Sequence, residues 1–336
     1  MKKVFVFILT LIALVATISL YANFLHPRIF FKKAALSRVN EAFLKKGAPI
    51  TFQSGNTMLK GTVFTNAPAG RKVPLIVFCV GSAGSSYRSN YATMLDTMFL
   101  QNLPMDSIAL LCFDKRGIGE SDGNWYDADF EQRAADAKAA ADFGAGLPFV
   151  DSSRIIIAGH SQGGWISQVA LAKYPARFAA GISMAGPVFS VRKQLVNDYY
   201  IKYLCEESLT SEEALTKAEK QVDLDVMLAS FFPFQQNWKQ LQVIKNFDPA
   251  DYLRNIHAPI LFLWGTEDAL VRPEWCRESM QHYFPQGMPV NFDTLTITGA
   301  NHSFKLADRC FHGSYSQVPY ADDCKEAMLK WLRQYF

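Results

Sequence analysis

Residues 159–163 read Gly-His-Ser-Gln-Gly and directly follow the apolar run Ile155-Ile156-Ile157-Ala158. A buried strand that meets a glycine on each side of one serine predicts a sharp strand-to-helix turn with Ser161 at its tip. Gly159 and Gly163 carry no side chains to collide where strand and helix cross. The helix that begins there aims its free N–H groups and positive dipole end at the hydroxyl, which favours negative charge at that spot. Such a hydroxyl suits nucleophilic attack. It is nevertheless a weak nucleophile near neutral pH, so it needs a base to take its proton and an acid to orient the base.

In a Gly-x-Ser-x-Gly elbow the partners follow in the order acid, then histidine, each after a later strand. The run Pro259–Trp264 leads into Gly265-Thr266-Glu267-Asp268, and the run ending at Thr298 leads into Gly299-Ala300-Asn301-His302. Asp268 is preferred to Glu267, because the chain needs a turn before an acid can face the end of the sheet. His302 follows a core strand at the required place. Of the other histidines, His160 is expected to point away and pack under the elbow, His257 precedes a strand, His282 lies on a helix and His26 is near the N-terminus. His312, ten residues on in a loop, is the rival. The anion-stabilising N–H groups are expected from Gln162 and from Ser82, in the loop after the strand Pro74–Val80. No lysine completes a nucleotide-binding Walker pattern around Gly81-Ser82-Ala83-Gly84.

The elements that must position these groups alternate in period. A hairpin over Pro49–Thr65 precedes strands at Pro74–Val80, Ile108–Phe113, Ile155–Ala158 and Ala179–Ala185, with helical stretches between them. Such alternation implies right-handed crossovers and a mainly parallel sheet. It stops between residues 187 and 255, a helix-like stretch rich in aromatics such as Tyr199, Tyr203, Phe232 and Trp238. That length exceeds the usual loop of about 5 residues and predicts a helical cap over one end of the sheet. The expected catalytic domain is therefore residues 26–186 and 256–336, interrupted by a cap at 187–255.

The 336 residues are 49% hydrophobic and 19% charged, as in a globular chain with a large core. The net charge is +3, without a long basic run, which argues against nucleic acid as a partner. Lys2 and Lys3 precede a stretch free of charge from Val4 to Leu25, long enough for either an export signal or a retained membrane anchor. Ala22 is a candidate residue before a cleavage site. Arg28, Lys32, Lys33 and Arg38 follow and argue weakly against export, because basic residues prefer the cytoplasmic side, and Phe31–Lys46 reads as a short basic amphipathic helix. Export to the periplasm or the extracellular space, with membrane contact through residues 4–25, is the expectation. Cys310 and Cys324 flank a loop-like stretch that would allow a disulfide in an oxidising compartment, whereas Cys79 and Cys112 read as buried free thiols. Cys205 and Cys276 stay open. No cysteine or histidine cluster has metal-ligand spacing.

Taken together these residues resemble the α/β-hydrolase family over about Ile50–Phe336, with a bacterial esterase-like or aminopeptidase-like flavour. Besides the elbow, Phe113–Gly123 (FDKRGIGESDG) looks like the family's Asp-x-Arg-Gly-x-Gly-x-Ser loop. Residues 248–271 look like its return from cap to core. The resemblance implies a mainly parallel eight-stranded sheet with helices on both faces and a triad of Ser161, Asp268 and His302. Many members have His-Gly where this chain has Val80-Gly81, so one polar group near the oxyanion loop is missing. Asp114 and Arg116 are read as holding their loop by hydrogen bonds. The expected activity is cleavage of a carboxylic ester on a small acyl substrate, with no metal, cofactor or obligate protein partner. A peptidase or thioesterase on the same fold is the alternative within enzymes, and a non-catalytic envelope ligand-binding protein is the alternative outside them.

Overall fold

The structure, a computed structural model, describes residues 2–33, 36, 38–207 and 209–335. Eight strands form one sheet: β1 (Ala48–Ser54), β2 (Thr57–Phe64), β3 (Val73–Cys79), β4 (Ala109–Phe113), β5 (Val150–His160), β6 (Ala180–Met184), β7 (Ile260–Gly265) and β8 (Phe292–Ile297). Their spatial order is β1-β2-β4-β3-β5-β6-β7-β8. β1 and β2 are an antiparallel hairpin, β2 runs antiparallel to β4, and every later pairing is parallel. Every residue of β3, β4, β6 and β7 is buried, as strands covered on both faces require. Leu75 and Val77 enter the core on one face, and Ile76 and Phe78 enter the core on the other.

The helices are α1 (Lys2–Leu20), α2 (His26–Phe30), α3 (Glu41–Leu44), α4 (Ala92–Leu95), α5 (Phe130–Ala145), α6 (Gln162–Lys173), α7 (Val191–Glu206), α8 (Ser211–Phe231), α9 (Gln236–Ile244), α10 (Ala250–Arg254), α11 (Pro273–Tyr283) and α12 (Asp322–Leu332). α5, α6 and α11 pack on the Leu75 face, and α4 and α12 on the Ile76 face. α7–α10 occupy the chain between β6 and β7. Thr210 and Glu213 close a reciprocal capping box at the start of α8, which fixes where the helix begins. α7 and α8 bury a small core of their own, with Val196, Tyr200 and Tyr203 against Ala214, Ala218 and Val222. Several of the aromatics noted in the sequence thus serve the packing of the insert itself.

Two expectations are corrected. Phe31–Lys46 is not one helix: α2 ends at Phe30, Arg38 takes a positive φ of 80°, and a new turn starts where Asn40 Oδ1 accepts the N–H of Phe43. Ala34, Ala35 and Ser37 of that stretch lie outside the described residues. Burial of Phe43 against Phe64, with ring centroids 4.7 Å apart, sets the position of the second turn. Cys310 pairs with Cys205 at the end of α7 and not with Cys324. The thiol of Cys324 is directed into the core by α12 and stays free, as do buried Cys79, Cys112 and Cys276.

Candidate active site

Ser161 sits between β5 and α6 at φ 58° and ψ −124°, a backbone region that non-glycine residues rarely occupy and that is kept only where the surroundings enforce it. The enforcement is visible. The N–H of Ser161 donates to Met184 O at 2.9 Å, and its own carbonyl accepts from Gly164 at 2.8 Å. A Cβ on Gly159 would stand 2.0 Å from Gly163 O, and one on Gly163 would stand 2.1 Å from Cys79 O, so both glycines are required by close backbone approach.

The loops after β7 and β8 bring Asp268 and His302 together. His302 Nδ1 lies 2.9 Å and 3.0 Å from the two carboxylate oxygens of Asp268, while Glu267 is left beside the pair. Asp268 is buried, and its Oδ1 accepts the N–H groups of Leu270 at 2.8 Å and Val271 at 2.7 Å. Burial opposes protonation of His302, but the charge and hydrogen bond of Asp268, aided by Asp198, outweigh it and hold the ring's pKa above the ordinary value of 6.5. The same carboxylate claims Nδ1, which leaves Nε2 as the ring's free proton acceptor. His312 is exposed in its loop and joins none of these groups.

His160 does more than pack under the elbow. Its Nε2 lies 2.7 Å from the backbone carbonyl of His302 and its Nδ1 lies 2.8 Å from the Tyr91 hydroxyl. Burial, then the neighbouring charge of His302, push its pKa down to about 3, so the ring is neutral. A carbonyl only accepts, which places the single ring proton on Nε2 and makes Nδ1 accept from Tyr91. Tyr91 in turn accepts the N–H of Gly81 at 3.0 Å. A buried chain of hydrogen bonds therefore ties the loop after β3 to the loop of His302.

The loop after β3 is held from a second side by residues that the sequence pattern did not single out. Arg133, on α5, donates to Val80 O at 2.7 Å, to Gly81 O at 3.3 Å and to the side-chain oxygen of Gln162. Lys115 Nζ donates to Gly81 O at 2.7 Å. Burial and the charge of Arg133 lower the Lys115 pKa well below the usual lysine value. The Gly81 carbonyl and the Ser82 N–H belong to one trans peptide, so fixing the former on these cations points the latter the opposite way. Ser82, Ser161 and Gln162 border a single cavity of about 330 Å³. Polar groups thus do stand under Val80-Gly81, supplied by α5 and by the β4 loop. In that loop Arg116 forms a two-pronged bond to Asp136 at 2.7 Å and 2.8 Å, and Ser86 Oγ donates to Asp114 at 2.5 Å, so both loop residues have structural partners.

The insert supplies most of the remaining cavity wall. Val191, Leu195, Leu241 and Ile244, with Trp165 of α6, make one apolar part of it, while Asp198, Asp225 and Gln240 bring polar groups. Asp198 accepts from Gln194 Nε2 at 2.8 Å, and burial raises its pKa to about 7. Asn197 donates to the carbonyls of Ala269 and Leu270, which clamps α7 onto the loop that carries Asp268. Among the described residues no group of histidines, cysteines and carboxylates is arranged to hold a metal ion.

Fold and elbow define a class. The chain has the α/β-hydrolase fold, and it resembles many solved members. An esterase of Pyrococcus furiosus matches with a TM-score of 0.61 and 16% identity over 90% of this chain and 97% of that one. An esterase of Butyrivibrio proteoclasticus, solved with ferulic acid bound, matches with a TM-score of 0.54 and 16% identity over 85% and 98%. An acylaminoacyl peptidase of Pyrococcus horikoshii matches with a TM-score of 0.57 and 16% identity over 90% of this chain and 44% of its own. The family model of serine aminopeptidases, S33, matches residues 73–222, a stretch that contains the elbow and ends before Asp268 and His302. No curated protein matches the sequence.

Proposed function

We propose that the protein is a serine hydrolase that cleaves carboxylic esters through an acyl-enzyme. The observation that carries this reading is the strained Ser161 elbow opening on the same cavity as Ser82 and Gln162, at the sheet end where His302 is paired with Asp268. His302 Nε2 takes the Ser161 proton as Oγ attacks the acyl carbonyl, and Asp268 stabilises the imidazolium that forms. The N–H groups of Ser82 and Gln162 hold the oxyanion. The protonated ring then gives its proton to the leaving alcohol, and a water molecule, activated by the same ring, releases the acid. The apolar wall of the cavity favours an uncharged acyl or alcohol group. In the Ser161→Ala variant, hydrolysis of short-chain aryl esters should fall by about 10⁴-fold or more with the fold intact. Activity near the wild-type level in that variant overturns the assignment.

One feature favours a second substrate class. Asp198 and Asp225 both line the cavity. Carboxylates in such a place suit a substrate with a free ammonium group, as in an aminopeptidase. Comparison of an aminoacyl ester with its N-acetylated form distinguishes the two: preference for the free amine, lost in Asp225→Asn, supports the second class.

Export is supported by the apolar N-terminal helix together with the Cys205–Cys310 bond, since such bonds persist chiefly in oxidising compartments.

A further inference from the structure

The N-terminal rod is joined to the insert in a way that a removable signal does not require. Lys2–Phe30 is one long apolar helix, with a π-turn at Tyr21–Leu25, and its first 19 residues rise about 28 Å, close to the hydrocarbon thickness of a bilayer. Its outer part is exposed, with none of the residues from Lys2 to Leu20 buried, but its inner end is built into the protein. Ala22 is fully buried. Asn23 Nδ2 donates to Phe231 O at 3.2 Å, and Gln242 Nε2 donates to Asn23 Oδ1 at 2.6 Å. The His26 ring packs 5.1 Å from Phe234, and Gln236 Nε2 reaches Lys32 O at 3.1 Å. The Ala22–Asn23 bond, where the sequence offers a cleavage site, is therefore helical and docked in the folded protein.

Where the rod leaves the body, the apolar surface does not end. Leu224, Met227 and Phe231 are 44%, 49% and 56% exposed, and their spacing of three and four residues puts them on one face of α8. Phe231 is the residue whose carbonyl holds Asn23, so the C-terminal end of this stripe lies beside the base of the rod. Val243 of α9 is exposed nearby in sequence to the residues that bind Asn23. A contiguous exposed apolar surface of this kind marks a contact with a partner or a membrane. Lys2 and Lys3 bracket the apolar stretch at one end, and Arg28, Lys32 and Lys33 at the other, as headgroup-facing cations do.

We propose that the N-terminal helix is retained and that the Leu224–Met227–Phe231 face of α8 is seated on the lipid bilayer beside it. The occupant of this face is lipid, because the face is continuous with a helix of bilayer-crossing length and is tied to it by hydrogen bonds. α8 and α9 also contribute Asp225, Trp238 and Leu241 to the cavity that holds Ser161. The membrane-seated helix α8, with its neighbour α9, is thus a wall element of the candidate active site. This proposal stands independently of the chemistry assigned to Ser161.

The test uses the full chain reconstituted in phosphatidylcholine vesicles, with a spin label on Met227→Cys, Leu224→Cys or Asp251→Cys. Asp251, on α10, has a side chain 92% exposed and serves as the aqueous control. At 224 and 227, collisions with oxygen should exceed those with a water-soluble nickel complex by several-fold, and the order should reverse at 251. Nickel-dominated accessibility at all three positions overturns the proposal. So does spin–spin broadening at 224 and 227, which would show a second copy covering the face. The intact mass of the membrane-extracted protein should include residues 2–22, and a chain beginning at Asn23 overturns the retained helix.

Discussion

The guanidinium of Arg133 is hydrogen-bonded to the side-chain oxygen of Gln162, and its other nitrogen holds the carbonyl of Val80. One buried cation therefore joins the helix that starts at the elbow to the loop after β3, the two segments proposed to supply the oxyanion-holding N–H groups. Replacement by methionine leaves those acceptors without partners. Arg133→Met is expected to lower kcat by about 10–100-fold while KM changes by less than about threefold, since oxyanion contacts act mainly in the transition state. Arg133→Lys should recover part of kcat. Loss confined to KM would contradict this positioning role.

With His302 as the proposed base, the acid limb of the kcat/KM profile should follow its titration, since the ring must be neutral to accept a proton. Its pKa lies above 6.5, so activity should rise with pH through a midpoint above that value. Asp198 contributes to the upward shift by its negative charge and itself titrates near 7. In Asp198→Asn that charge is gone, the imidazolium is less favoured, and the limb should move to lower pH. An unchanged midpoint in this variant would separate Asp198 from the histidine.

The Cys205–Cys310 bond links the end of α7 to the loop that follows His302 across a sequence separation of 105 residues. Closing a loop of about 100 residues restricts the unfolded chain by an amount worth up to about 4.7 kcal/mol. Cys205→Ser should therefore lower Tm by roughly 10 °C, at about 2–4 °C per kcal/mol for a domain of this order of size. Peptide mapping of the unreduced protein should return Cys205 joined to Cys310, with Cys324 alkylated only after unfolding. A Cys310–Cys324 peptide would contradict the pairing.

Local pattern carried much of the fold and site. Unbroken apolar runs marked β3, β4, β5 and β7 because strands covered on both faces have no polar side to show. Gly159 and Gly163 betrayed the elbow because only glycine allows the backbones to approach so closely. Asp268 was preferred over its neighbour Glu267 from the length of one turn. What pattern could not reveal depends on chains meeting far apart in sequence. Arg133 looked like one charge on an alanine-rich helix; its only local signal was its place beside Phe130, Ala134 and Ala137, which α5 buries. Cys310 had a nearer cysteine in sequence, but α12 turns Cys324 into the core while α7 brings Cys205 across. The break at Arg38 and Asn40 was hidden because a cap inside a basic amphipathic stretch looks like another polar helix position.

In the proposed reaction Ser161 is a nucleophile activated by His302. Incubation of the full-length protein with a fluorophosphonate, followed by peptide mass spectrometry, tests it most directly. One modification is expected, on Ser161, slowed by at least about 100-fold in His302→Ala and absent in Ser161→Ala. A folded protein that stays unlabelled, or one labelled equally fast without His302, would contradict it.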